Sequence, residues 1–192
     1  MENNSFTNRK NTKAVIYVVR DPRNLVTSVS HHFSMNIDDS YNFIINMEQI
    51  LTGSEWGGED FGIATVLGNW AEHYKSWKKI KFAPFLLVRY EDLIYDTKNS
   101  LVKIIDFLNK FMIIEKDEKK LSNVISSCKF EKLSEKEKKE GFFESVSPTR
   151  KEKKKLFFYL GKKNDWRTQL NTKIEKKIKK TFEKEMKELK YI

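Results

Sequence analysis

The chain has 192 residues, 39% of them apolar and 13% aromatic, which is enough to bury one core and too apolar for a disordered tail. A single cysteine, Cys128, excludes an internal disulfide framework, and no apolar run reaches the length needed to cross a bilayer. The formal charge of +10 raises nucleic-acid binding as a class, but much of it lies after Glu115, in segments such as 131–140 and 173–180 where lysines alternate with acids or apolar residues at helical spacing. That patterning marks solvated helix faces, so a basic nucleic-acid-binding domain is the lesser alternative. One domain is expected over 1–192, with residues 1–12 a polar, poorly ordered leader. No signal-peptide pattern occurs there, so cytoplasmic residence is the default.

In chain order, the first element is the β-branched run Val15 to Val19, read as a strand of a parallel sheet covered on both faces. Arg20 ends it, Asp21 is placed to cap the next helix, and Pro22 suits the first helical position, where a missing N–H costs nothing. Leu25, Val26, Val29 and Phe33 mark the helix face that packs on the sheet. Arg20 thus lies at a strand's carboxyl end beside a helix N-terminus whose amides attract anions, and Ser28 follows two turns in. A guanidinium fork and a hydroxyl at that separation can hold two sides of one phosphate. A surface ion pair is the competing reading of Arg20.

Asp38 to Ser40 offers the next cap, with Phe43, Ile44, Met47, Ile50 and Leu51 as one helical stripe. Residues 52–60 carry three glycines around Trp56 and read as a mobile loop, in which Trp56 is large enough to cover the core. A helix over 62–79 places Trp70, Tyr74 and Trp77 on one inward face. A second strand over 85–88 delivers Tyr90-Glu-Asp92 to its carboxyl end, the ligand side of a parallel sheet. Thr97 begins a helix with Leu101, Ile104, Ile105 and Leu108 inward, and Leu121, Val124 and Ile125 mark another. Residues 141–150 read as a loop, 151–155 as a basic run, and Ile174, Ile178, Phe182, Met186 and Leu189 as the packing stripe of a last helix.

Four segments share the order and spacing of one known family. Val15-Ile-Tyr-Val-Val-Arg-Asp-Pro-Arg-Asn-Leu-Val-Thr-Ser28 resembles the 3′-phosphate-binding segment of sulfotransferases that use 3′-phosphoadenosine 5′-phosphosulfate (PAPS). Gly68-Asn-Trp-Ala-Glu-His-Tyr-Lys-Ser-Trp77 is similar to that family's Gly-x-Trp-x-x-His-x-x-x-Trp helix. Phe85-Leu-Leu-Val-Arg-Tyr-Glu-Asp-Leu93 resembles its Tyr-Glu-Asp strand and loop, and Gly161-Lys-Lys-Asn-Asp-Trp-Arg167 its Gly-x-x-Gly-Asp-Trp-Lys turn. The resemblance implies a P-loop-like α/β fold: a three-layer parallel sheet with flanking helices, here without the family's N-terminal part. The family's Tyr-Pro-Lys-Ser-Gly-Thr-Thr-Trp loop, which holds the 5′-phosphosulfate, and its general-base histidine have no counterpart in these residues, so the chain reads as an N-terminally truncated relative.

By resemblance, Arg20, Ser28 and the amide of Gly161 contact the 3′-phosphate of PAPS or of the product adenosine 3′,5′-bisphosphate, while Tyr90 and Phe130 border the adenine. Cys128 stands where the family has a threonine; a thiol donates weakly, and a small buried residue is its plainer reading. Two basic residues that precede the family's glycine are replaced by Tyr159 and Leu160, which leaves Lys162 and Lys163 to compensate. The family keeps a lid over the nucleotide near residues 141–150. The implied activity is sulfuryl transfer from PAPS to a hydroxyl or amine of a small molecule or glycan. The alternatives are a noncatalytic nucleotide-binding remnant or interaction protein, and the nucleic-acid-binding domain already weighed.

His31, His32 and His73 are the only imidazoles, none at the family's catalytic position, and structural roles are expected for all three. No metal-ligand spacing occurs, and the family's chemistry needs no metal. Without a first strand, self-association through an exposed sheet edge or a rearranged N-terminus is expected.

Overall fold

A computed structural model describes residues 9–51, 65–142 and 155–192. The loop around Trp56, the residues 143–150 assigned to a lid and most of the basic run after them lie outside the described residues. The chain divides into two compact units, one formed by residues 1–20 and 74–123, the other by 21–73 and 124–192.

In the first unit, β1 (Val15–Val19) pairs in parallel with β4 (Phe85–Arg89), Val15 opposite Phe85 and Val19 opposite Arg89. A parallel pair requires a crossover between its strands, as the long separation of the two segments provides. After β4 come α4 (Tyr90–Tyr95) and α5 (Thr97–Leu108), which pack on each other and on the strand. Val15, Tyr17, Val19, Val88 and Phe107 are buried. The expectation that β1 is covered on both faces does not hold among the described residues: Ile16 and Val18 are 37% and 49% exposed. The run is apolar throughout, but burial alternates with the two-residue period of the strand, because among the described residues only the face carrying Tyr17 has side chains over it.

Tyr17 sits 5.9 Å from the ring of Tyr74 and 6.1 Å from that of Phe85. Burial pushes its phenol from 10.0 up to about 12. The folded chain therefore holds this proton more tightly than the unfolded chain does. The associated stability is present below pH 10 and is lost as pH rises from 10 through about 12. Tyrosinate absorbance during alkaline titration should show one of the seven tyrosines ionising late, together with unfolding. In Tyr17→Phe that late step should disappear; an unchanged titration would refute the assignment.

In the second unit, α1 (Pro22–His32) packs on α2 (Ile37–Ile45), α8 (Trp166–Gln169) and α9 (Thr172–Thr181). Asp21 caps α1 and Pro22 occupies its first position, as the sequence requires. Val26 and Val29 are buried, whereas Leu25 and Phe33 are half-buried. The α2 cap is Asn36, whose side chain accepts from the Asp39 amide at 2.8 Å, so the acids expected to cap lie in the first turn instead. This helix stops at Ile45, and Met47 is exposed. The stripe breaks there because Ile50 and Leu51 form β2, antiparallel to β3 (Thr65–Val66).

The next helix, α3 (Trp70–Lys78), begins later than residue 62. Gly68 adopts φ +63°, a left-handed conformation that ends any helix from before it, and the Asn69 side chain caps by accepting from the Glu72 amide at 2.8 Å. Trp70 and Tyr74 are buried and Trp77 is half-buried. Then follow α6 (Glu118–Ser127) and α7 (Phe130–Glu140). The single last helix expected from the stripe is two, α9 and α10 (Glu183–Glu188), because Phe182 leaves helical dihedrals at φ −115°, ψ 22°. Its ring lies 5.1 Å from Trp70, and Ile174, Ile178, Phe182, Met186 and Leu189 are all buried as the pattern implies. No described helix is long and apolar enough to cross a membrane.

Candidate functional site

The carboxyl ends of β1 and β4 lie side by side in register, so Arg20 and Tyr90, each the residue after its strand, emerge together. The Arg20 guanidinium carbon stands 4.4 Å from the centre of the Tyr90 ring. A cation over an aromatic face gains about 0.5–2 kcal/mol, and a guanidinium is a planar fork of donors suited to a phosphate or carboxylate. The parallel register brings these two sequence-assigned residues together.

In the second unit, the N-terminus of α1 differs from the phosphate-facing helix end expected of it. The anion there is the chain's own Asp21 carboxylate, which accepts from the Arg23 amide at 2.9 Å and from Arg23 Nε and the terminal guanidinium nitrogen at 2.9 and 2.6 Å. Both side chains are almost wholly buried. The same guanidinium donates to the Tyr191 carbonyl at 2.8 Å and lies 4.0 Å over Trp166. An Asp-Pro-Arg tripeptide at a helix start was a readable signal for this cap, but its partner at Tyr191 was not.

Ser28 is half-buried on α1 and meets the turn after Leu160. The Asn164 amide donates to Ser28 Oγ at 3.1 Å, and its carbonyl oxygen accepts from Thr27 Oγ1 at 2.6 Å. The Trp166 amide donates to Asn24 Oδ1 at 2.8 Å, a further tie between this turn and α1. Gly161 opens the turn at φ +54°, and a Cβ there would come within 2.7 Å of the Phe130 ring. Only glycine allows that approach, so Gly161 and Phe130, both assigned from sequence, are in contact. Lys162 is exposed in the one-turn 3₁₀ segment Gly161–Lys163.

Cys128 is exposed, which overturns its reading as a small buried residue. It follows the last turn of α6, whose described side chains are none of them buried. Segment 131–140 is also less uniformly solvated than its charges suggest. Glu137 is buried, and its carboxylate accepts from the amides of Phe157 and Phe158 at 2.6 and 2.9 Å, donors that offset its desolvation.

The histidines are built into packing. His31 Nε2 bonds the Leu156 carbonyl at 2.8 Å, and its ring stacks on Tyr159 with centroids 4.0 Å apart. His32 meets the Phe33 ring edge-on at 4.7 Å, and burial lowers the pKa of His73. No group of three or more metal-ligating side chains occurs among the described residues.

A family model described as "Sulfotransferase domain" matches residues 4–190. The chain is 27% identical to Sulfotransferase 2A1 of Macaca fascicularis over 176 residues, covering 91% of this chain and 57% of that protein. It is 24% identical to Flavonol 3-sulfotransferase of Flaveria bidentis, covering 90% and 54%. Over a shorter stretch of 97 residues, half of this chain, it is 37% identical to Sulfotransferase 2A1 of Mus musculus. A solved structure, mouse sulfotransferase SULT7A1 complexed with PAP, shares the fold at TM-score 0.61 and 21% identity, with 91% of this chain and 58% of that one covered. The chain thus spans little more than half the length of the relatives it matches along nearly all of its own.

Proposed function

Because the chain belongs to the sulfotransferase domain family, we propose that it carries the 3′-phosphate and adenine contacts of a PAPS site. The whole protein's reaction would be sulfuryl transfer to a hydroxyl or amine. In that reaction a bond forms between acceptor oxygen or nitrogen and sulfur, the bond between sulfur and the bridging phosphate oxygen breaks, and the acceptor loses its proton. Adenosine 3′,5′-bisphosphate leaves. Arg20 and Ser28 are assigned to the 3′-phosphate with the Gly161 amide and Lys162, Tyr90 and Phe130 to the adenine, and Cys128 to its border. The observation that carries this reading is Arg20 stacked on Tyr90 at the joint carboxyl end of two parallel strands, where open α/β sheets bind their ligands. The fold neighbour was solved with PAP, which supports the choice of nucleotide.

Isothermal titration tests it. Adenosine 3′,5′-bisphosphate should bind more tightly than adenosine 5′-monophosphate, and Arg20→Ala should cost the bisphosphate about 1.5–3 kcal/mol, the value of a charge-assisted bond, while leaving the monophosphate almost unaffected. Equal affinities in the parent protein would refute the assignment.

A further inference from the structure

We infer that Asn164 is a positioning residue for the 3′-phosphate, acting through the Ser28 hydroxyl; this rests on the nucleotide reading above. Its amide bridges two hydroxyls on consecutive residues of α1, Thr27 Oγ1 at 2.6 Å and Ser28 Oγ at 3.1 Å. Thr27 is buried and its Oγ1 also lies 2.8 Å from the Asn24 carbonyl, so its one hydroxyl proton is shared between that carbonyl and Asn164 Oδ1, which ties this end of the bridge to the helix backbone. At the other end Asn164 Nδ2 donates to Ser28 Oγ, a rotor with three staggered positions, and favours the one that receives this bond.

Two observations separate this role from simple attachment of the turn. The turn has its own tie to α1, from the Trp166 amide to Asn24 Oδ1 at 2.8 Å, and Asp165 caps α8 through the Arg167 amide at 3.0 Å. Neither contact involves the Asn164 side chain. In addition, Asn164 has φ −74°, so the backbone does not demand the glycine found at this place in the motif it resembles, and a side chain is accommodated without strain. That side chain connects the two segments assigned to the same phosphate, Ser28 on α1 and Gly161-Lys162 in the turn. A phosphate meeting donors already held in place is bound without the entropy cost of ordering them.

The test is a double-mutant cycle read by calorimetric titration with adenosine 3′,5′-bisphosphate and adenosine 5′-monophosphate. Asn164→Ala should weaken the bisphosphate about 3- to 10-fold and leave the monophosphate unchanged. In the Ser28→Ala background the same change should add almost nothing, because the hydroxyl it positions is gone. Thr27→Val keeps the side-chain shape and removes the anchored end of the bridge; it should shift the preference in the same direction and serves if Asn164→Ala does not fold. An unchanged preference in Asn164→Ala, or a full additional loss on top of Ser28→Ala, overturns the inference while leaving the nucleotide reading intact. A parent protein with no bisphosphate preference overturns both.

Discussion

Replacing Arg23 by alanine is expected to destabilise the chain by about 3–5 kcal/mol, the range for breaking a buried ion pair from one side. The guanidinium is 5% exposed and the Asp21 carboxylate 6%, so water cannot take over when either partner is removed. Alanine would strip Asp21 of its three side-chain hydrogen bonds from Arg23, while the bond from the backbone amide of residue 23 would remain. The Tyr191 carbonyl would lose the Arg23 donor, and Trp166 one of the three cations over its ring. Urea unfolding followed by circular dichroism measures the loss. The double variant Asp21→Ala/Arg23→Ala should cost less than the sum of the singles, because removing both charges leaves none buried alone. A loss below about 1 kcal/mol for Arg23→Ala would show that the pair contributes no more than an exposed one.

The second large effect concerns turnover. The polypeptide of residues 1–192 is expected to bind the nucleotide and to transfer no sulfuryl group at an enzymatic rate. Its sequence contains no Lys-Ser-Gly-Thr loop, and its three histidines lie off the position of the base in the motifs it resembles. A general base contributes about 10²- to 10⁴-fold, and loss of one anion-stabilising donor costs about 10²- to 10³-fold. His31 is committed elsewhere, bonded to the Leu156 carbonyl and stacked on Tyr159. Radiolabelled PAPS with phenol, alcohol, sugar and amine acceptors decides the matter. Turnover that His31→Ala or His32→Ala abolishes would show a resident histidine serving as base and would refute this expectation.

Much of the first strand and helix was legible because its determinants are local. Val15 to Val19 are β-branched or aromatic, Asp21 accepts from an amide two residues on, and Pro22 has no amide to lose. Arg20 and Tyr90 were legible as a pair because each follows an apolar run with the residue types of a strand. Where local rules misled, a nearby competitor had won. Asn36 captured the cap from Asp38 and its neighbours, and a left-handed Gly68 with Asn69 started α3 afresh. Glu137 looked like one more charge on a solvated face, and nothing in its periodicity announces the two amides it receives from residues 20 and 21 positions away.

By itself, then, the sequence determined what depends on backbone sterics and short-range hydrogen bonding: strands β1 and β4, the starts of α1 and α5, and the apolar stripe from Ile174 to Leu189. The tertiary structure alone decided which face of β1 is covered. It also decided that Arg23 reaches a carbonyl 168 residues away and that the Asn164 amide spans 136 and 137 residues to two hydroxyls of α1. The physical reason is that a buried polar group must find a partner wherever the packed chain brings one, and periodicity along the sequence does not record which distant donor or acceptor that will be.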